Sequence, residues 1–566
     1  MMLTNIPPGL IMILGAALVP LLTHTPRQVF MLGLILLSGL QAWQLEPGVY
    51  LSTTIVGLDL TLIRADALTK PFALVFHIAA ALGVIFAMSE KCRVSEASGL
   101  AYAGAAIAAL FAGDFITLFI FWELTAFTSV FLILKGNRPG SMRAAMRYLI
   151  TQVVSGVILL AGAAMLINQG SGANIGPLDA MTLPGFLILI AFGIKAAFPF
   201  LNGWLQDAYP EASISGTVML SAFTTKLAVF VLAQCFAGLE WLVYIGAVMC
   251  AFPVFFAVIE NDLRRVLAFS LNNQIGFMVI GIGVGTELAL NGTVAHAFAH
   301  IIYKSLLFMT MGAVLLRTGT TKASELGGLW RSMPLTTLFC IIGALSISSF
   351  PLFSGFVTKS LTISGTIKEG YFWVWMVMIF ASAGVLEHSG IKIPYFAFFG
   401  HDRGFKVKEA PRNMLIAMAL ASVLCVVVGI FPSALYGLLP YEVSVNVWEV
   451  GHVLAELQLL LFAALAFVFL MVRGLYPPEI DSTVLNTDWF FRKLAPRVIM
   501  AIVRPVWGLY VVTVNGLKLL LLDLISFSTG YLNRSSIGAG AMGTSIAAGI
   551  FLAVFALLLA LRFVFV

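Results

Sequence analysis

Charge is scarce in this chain. Only 10% of its 566 residues are Asp, Glu, Lys or Arg, against about 25% in an ordinary soluble domain. No polar block is long enough to form a water-soluble domain of its own. Cysteine is scarce as well. The five, Cys92, Cys235, Cys250, Cys340 and Cys425, stand far apart, so the spacings of iron–sulfur and zinc-ribbon sites are absent. No Walker motif is present, and no run of Lys and Arg interleaved with aromatics points to nucleic acid. The start, Met1 to Gly9, lacks a positive n-region, so no cleaved signal peptide is expected.

What is abundant is apolar. Hydrophobic residues make up 60% of the chain, and the mean hydropathy is +1.01. The solvent this implies is lipid, which takes apolar runs of roughly 20 residues per crossing. Sixteen spans are read, at 10–22, 28–44, 71–89, 97–112, 115–134, 146–168, 184–201, 212–237, 241–259, 266–285, 290–316, 333–363, 371–399, 413–436, 454–472 and 543–565. The fold class is therefore all-α and polytopic. By position it divides into N-terminal spans (1–96), a core (97–400), further spans (401–472), a segment 473–542 and a last span (543–566). Of the 32 lysines and arginines, 23 fall in loops on one side and four on the other. The positive-inside rule makes the first side cytoplasmic. A bacterial inner membrane with both termini periplasmic is the expectation. Segment 473–542 is apolar but broken by Arg492, Lys493, Arg497, Arg504, Lys518 and Asp523. Basic residues among Trp507, Tyr510 and leucines suit a helix lying in the interface. A seventeenth span at about 505–528 is the alternative.

A charge near the middle of a span costs about 2.5–3.5 kcal/mol and marks an ion path by default. The candidates are Glu123, Lys195, Lys226, Lys304 and Lys359. His296, His300 and Lys304 recur at i, i+4 and i+8, one stripe of a helix. Any one of these could be a structural ion pair, but five in one chain favour a path. Lysine suits a relay, because burial and a neighbouring carboxylate shift its proton affinity in opposite directions. The two histidines have zinc-ligand spacing, but no acid or cysteine adjoins them, so neither a metal nor a cofactor is expected. Two segments share the pattern F-P-x-x-x-G-aromatic, Phe198 to Trp204 and Phe350 to Phe356. Pro removes a helix donor, so both spans should be broken. Lys195 lies just before the first and Lys359 just after the second, and paired broken spans point to a binding site in a repeat-built transporter.

At these residues the chain resembles the antiporter-like membrane subunits of respiratory complex I, shared with Mrp-type cation/proton antiporters and membrane-bound hydrogenases. The resemblance runs over about residues 65–435. Phe121-Trp122-Glu123-Leu124 is similar to the family's F-W-E-L/M. Lys195, Pro199 and Trp204-Leu205-Gln206-Asp207-Ala208 resemble its seventh-span lysine and W-L-P-D-A, with Gln206 in place of proline. Lys226 matches the eighth-span lysine, and Asp262 to Ala268 resembles D-L-K-R-x-L-A. His296, His300 and Lys304 match the eleventh-span stripe, and Lys359 stands where the twelfth span carries a lysine or glutamate. Glu387, His388 and Lys392 in the thirteenth span form a secondary set, similar to bacterial antiporter chains of the Mrp type.

The resemblance implies two inverted five-helix repeats, an ion pair of Glu123 with Lys195, a link through Lys226 to the second half, and Lys359 on the exit side. It implies proton translocation, with Na+/H+ antiport as one form of it, beside other membrane subunits of one complex. Whether the chain belongs to an enzyme stays open; no catalytic or redox centre of its own is read. The alternatives are a redox-coupled subunit of a complex I or hydrogenase-type enzyme, and energy coupling for inorganic-carbon uptake. A membrane scaffold with inert ion pairs is the rival from another class.

Overall fold

The computed structural model describes residues 6–55, 57–482, 484, 489–534, 549 and 551–555. It is helical, with one small hairpin. Two helices, α1 (Leu10–Ala16) and α2 (His24–Gln44), precede the hairpin β1 (Gly48–Ile55) and β2 (Leu58–Ala65). The strands pair antiparallel, Gly48 opposite Ala65 and Ile55 opposite Leu58. Then come α3 (Thr69–Ala87), α4 (Arg93–Leu110), α5 (Phe115–Leu134) and α6 (Ser141–Asn168). The seventh span is two pieces, α7 (Leu183–Ala196) and α8 (Gly203–Glu211). The eighth is also two, α9 (Ile214–Ala222) and α10 (Thr224–Cys235). The second half repeats the plan with α11 (Glu240–Ile259), α12 (Leu263–Val284), α13 (Glu287–Thr318) and a twelfth span divided into α14 (Pro334–Ile347) and α15 (Ser354–Lys368).

Next, α16 (Phe372–Val385) runs through two wide turns and the helical turn α17 (Lys392–Pro394) as far as Phe399. It is followed by α18 (Arg412–Ile430), the short α19 (Ser433–Tyr436) and α20 (Val450–Val472). A separate compact unit begins at Trp489 and contains α21 (Ala495–Arg534). Its 40 residues make about 60 Å of helix, twice what a crossing needs.

Eleven helices among the described residues are long and apolar enough to cross a membrane, and three shorter apolar helices stand beside them. That count does not return sixteen. The broken spans are divided at their turns, and the last expected span, 543–565, lies almost wholly outside the described residues. The eighth-span break and the hairpin are additions to the expected plan.

The expected breaks in spans seven and twelve are present, and their backbones coincide. Ala197 and Phe200 are left-handed in the first, at φ 62° and 68°; Ser349 and Leu352 are left-handed in the second, at φ 60° and 75°. Each turn closes with the same bonds. Phe198 N–H donates to Gly193 O (2.9 Å) and Leu201 N–H to Phe198 O (2.9 Å). Phe350 N–H donates to Leu345 O (3.0 Å) and Phe353 N–H to Phe350 O (3.1 Å). The left-handed residue ends each half-helix as a Schellman-type cap. The proline then has no N–H with which to continue it. In the second turn, a Cβ at Gly355 would overlap the carbonyl of Ser346, so only glycine lets α15 begin there.

Candidate functional site

Each half of the molecule holds one lysine at its break. In the first half, Lys195 sits in the last turn of α7 and is fully buried. Its ammonium donates to Trp122 O (2.6 Å) and Thr125 Oγ1 (3.0 Å) on α5. It lies 4.2 Å from the centre of the Trp122 ring. The turn fixes this position, because Trp204 Nε1 takes the neighbouring carbonyl of Ile194 (2.9 Å) and Asn272 Nδ2 takes Ala197 O (2.7 Å). Glu123 is one residue along α5 from Trp122 and is the charge acting on Lys195, as Lys195 is on Glu123. The two are near neighbours without a direct ion pair: the Trp122 carbonyl holds the ammonium that the carboxylate was expected to hold. The Glu123 carboxylate packs on α6, where a Cβ at Gly156 would overlap it. Its Oε1 is buried with no hydrogen-bond partner.

Lys226 begins α10. The break after Ala222 frees the Ser221 carbonyl, and the Lys226 ammonium donates to it (2.6 Å). Lys226 is fully buried and is the first charge felt by His300 and Lys304. These belong to α13 in the second half, so Lys226 lies within electrostatic reach of the second half. On α13, His296 and His300 stack at 6.0 Å and 22°. His296 Nδ1 lies 3.4 Å from Thr358 Oγ1 on α15, and Nε2 lies 3.5 Å from the Tyr303 hydroxyl. That hydroxyl donates to Gln274 Oε1 on α12 (3.1 Å). Both ring nitrogens of His300 and the Lys304 ammonium are buried without a hydrogen-bond partner. Lys359, on α15, donates to Ile347 O at the end of α14 (3.3 Å) and stands 5.1 Å from the Phe277 ring centre. Lys359 is the first charge acting on His296.

The structure thus brings Glu123 and Lys195 together in the first half, and Lys226 within reach of His300 and Lys304, with His296 and Lys359 beside them in the second. The secondary set stands on the α16–α17 segment. His388 Nδ1 and Ser389 Oγ share a bond (2.8 Å), and Ser389 Oγ donates to Ser270 Oγ (2.9 Å). Lys392 donates to Val258 O (2.6 Å) and Glu260 O (2.7 Å) at the end of α11, and pairs with Glu479 at 3.0 Å. Glu479 lies in the loop after α20, and burial lifts its carboxyl above the ordinary range against the pull of Lys392. Glu387 is half-buried on the same segment, and Lys392 is the charge acting on it.

Three functional candidates were not foreseen. Glu479 sits in a polar loop where an acid is ordinary. Glu456 and His452 lie early in α20, where soft span edges make charge unremarkable. Glu456 is the first opposite charge acting on Lys359. No group of three or more potential metal ligands occurs among the described residues.

Comparison with known proteins agrees with this architecture. The chain is 27% identical over 434 residues to hydrogenase-4 component B of Escherichia coli K12, covering 66% of this chain and 63% of that protein. It is 29% identical over 361 residues to NADH-quinone oxidoreductase subunit N of Desulforudis audaxviator, covering 56% of this chain and 70% of that one. The match thus spans under two thirds of the hydrogenase component. Among solved structures, a chain of the Mrp complex from Dietzia sp. DQ12-45-1b superposes with a TM-score of 0.68 at 21% identity, over 77% of this chain and 95% of that one. Residues 112–385, from the end of α4 to the end of α16, match the family described as NADH:quinone oxidoreductase/Mrp antiporter, transmembrane. The match covers just under half of the chain, which is similar through that segment to the antiporter-like membrane subunits of the complex I and Mrp family.

Proposed function

We propose that the chain translocates protons as one membrane subunit of a larger complex. The path runs from Glu123 to Lys195, on to Lys226, across to His300, Lys304 and His296, and out past Lys359. The observation that carries this reading is the row of buried ionisable groups through both halves, several of them with no fixed hydrogen bond. A buried charge left so is expensive. It is also free to take up or release a proton, because no fixed partner holds it. Two unit charges some 8 Å apart at an effective dielectric near 20 interact by about 2 kcal/mol. Loading one lysine therefore favours unloading the next without contact.

On this reading the side carrying Lys368 is periplasmic, the protein resides in a bacterial inner membrane, and its partners are other membrane subunits. Boundaries at 97 and 400 enclose the conducting core. The length of α21 favours a helix lying along the interface over a seventeenth span. Protons are the cargo, with Na+ exchange as one form of coupling. The test is proton transport in vesicles carrying the assembled complex, read with a pH-sensitive dye. Glu123→Ala and Lys195→Ala should both assemble and both lose transport. Wild-type transport by both would leave a scaffold with inert charges. Identifying the co-purifying subunits separates redox coupling, antiport and inorganic-carbon uptake.

A further inference from the structure

The second break opens where the first is sealed. Beside Lys359 is a cavity of about 490 Å³, room for on the order of ten waters. Its wall runs from Ser349 at the break, past Lys359 and Ser360, to Ile367 near the end of α15, with α20 supplying His452 and Glu456. The cavity therefore lies wholly in the half of the membrane between the twelfth-span break and the side of Lys368. Its polar groups are matched across two helices. His452 Nε2 and Ser360 Oγ share a hydrogen bond of 2.8 Å, and the His452 ring lies 5.2 Å from Phe356, tying α20 to α15. Glu456 is one helical turn further along α20, on the same face. It faces Lys359 across the cavity without a direct ion pair.

We propose that Glu456 is the last proton acceptor of the pathway, taking the proton from Lys359 and releasing it on the side of Lys368. The proposal rests on the pathway reading above. In the step, an N–H bond of the Lys359 ammonium breaks and an O–H bond forms on the Glu456 carboxylate, through the water of the cavity. The lysine is left neutral and the acid neutral. The acid then gives its proton to bulk water and regains its charge, and Lys359 is reloaded from the His296 side. His452 is a positioning residue that holds α20 where Glu456 can receive. The assignment explains a half-buried acid on a mostly apolar helix. It also explains why Lys359, unlike Lys195, borders a cavity.

The experiment uses the whole complex in vesicles, with Lys195→Ala as the control. Glu456→Ala and the isosteric Glu456→Gln should each lower proton transport at least tenfold, while Glu456→Asp keeps most of it. Formate, a small weak acid that fits the cavity, should restore part of the lost rate in both variants when added on the Lys368 side, and chloride should not. A mere counter-ion for Lys359 would show no such rescue. If Lys195→Ala is inactive and Glu456→Ala transports normally, or its loss is not rescued by formate, the outlet assignment is wrong and the pathway stands. If Lys195→Ala itself transports normally, the pathway reading fails, and the outlet with it.

Discussion

The two broken spans carry one turn and two different lysines. Aligned on their left-handed residues, Ala197 falls on Ser349 and Pro199 on Pro351. Lys195 then falls on Ile347, and Asp207 falls on Lys359. The first half places its lysine before the break and an acid after it. That acid, Asp207, is held by Arg147 of α6 at 2.6 Å. The second half places an apolar residue before the break and its lysine after it. Lys195 is consequently enclosed by α5, against Trp122 and Thr125, while Lys359 borders a cavity. A shared backbone device thus sets one buried lysine against α5 and the other beside a cavity. On the pathway proposed above, that asymmetry would give conduction its direction.

Breaking the sealed side should have the largest effect. Lys195→Ala removes the charge that Glu123 feels, worth about 2 kcal/mol to a neighbour at such range. Proton transport should fall by about thirtyfold or more, with subunit content unchanged on a native gel. On the open side the charge itself should matter more than its shape. Lys359→Met should lower transport at least tenfold. Lys359→Gln should be no better, since neither can carry a proton. Equal transport by wild type and Lys359→Met in the vesicle assay would remove this lysine from the path.

A smaller effect is expected where the sealed side is only crowded. Gly156→Ala places a methyl group on the Glu123 carboxylate. It should move that acid without removing it and slow transport a few-fold, with the complex intact. Gly33→Ala, at a position where a Cβ meets nothing within 4 Å, is the matched control. The smallest effects belong to the turns themselves. Phe200 and Leu352 are exposed and left-handed, a conformation that costs non-glycine residues about 1–2 kcal/mol. Phe200→Gly and Leu352→Gly should each raise the thermal midpoint of the purified protein or leave it level. A marked fall would mean that these side chains contribute packing their exposure hides.

Much of this site could be read from residue types. A lysine in an apolar run and a proline–glycine pair in a span each violate a local rule, and the structure puts Lys195, Lys226, His296, His300, Lys304 and Lys359 in the core. What escaped showed such a violation weakly or not at all. The eighth-span break at Phe223 has neither proline nor glycine; it follows from Tyr102, whose hydroxyl bonds Thr224 Oγ1 and accepts from Thr224 N–H (3.0 Å). The hairpin at 48–65 sits between spans, where alternation over eight residues is easily taken for a loop. His452 stands just before the 454–472 span and Glu456 just inside its soft edge, and only the fold brings them to Lys359. The expected Glu123–Lys195 contact is replaced by a backbone carbonyl, an acceptor that side-chain chemistry does not display.

The central claim is that protons cross from one half to the other through Lys226 and Lys304. Lys304 has no fixed partner to mask its role, so it is the place to measure. Proton uptake by vesicles carrying Lys304→Arg, which keeps the charge but holds its proton, should be compared with Lys304→Met, which removes both. The account predicts that both fall at least tenfold below wild type, because a relay needs a group that is charged and can release. If the two variants transport equally and near the wild-type rate, Lys304 carries no proton and the connection between the halves lies elsewhere.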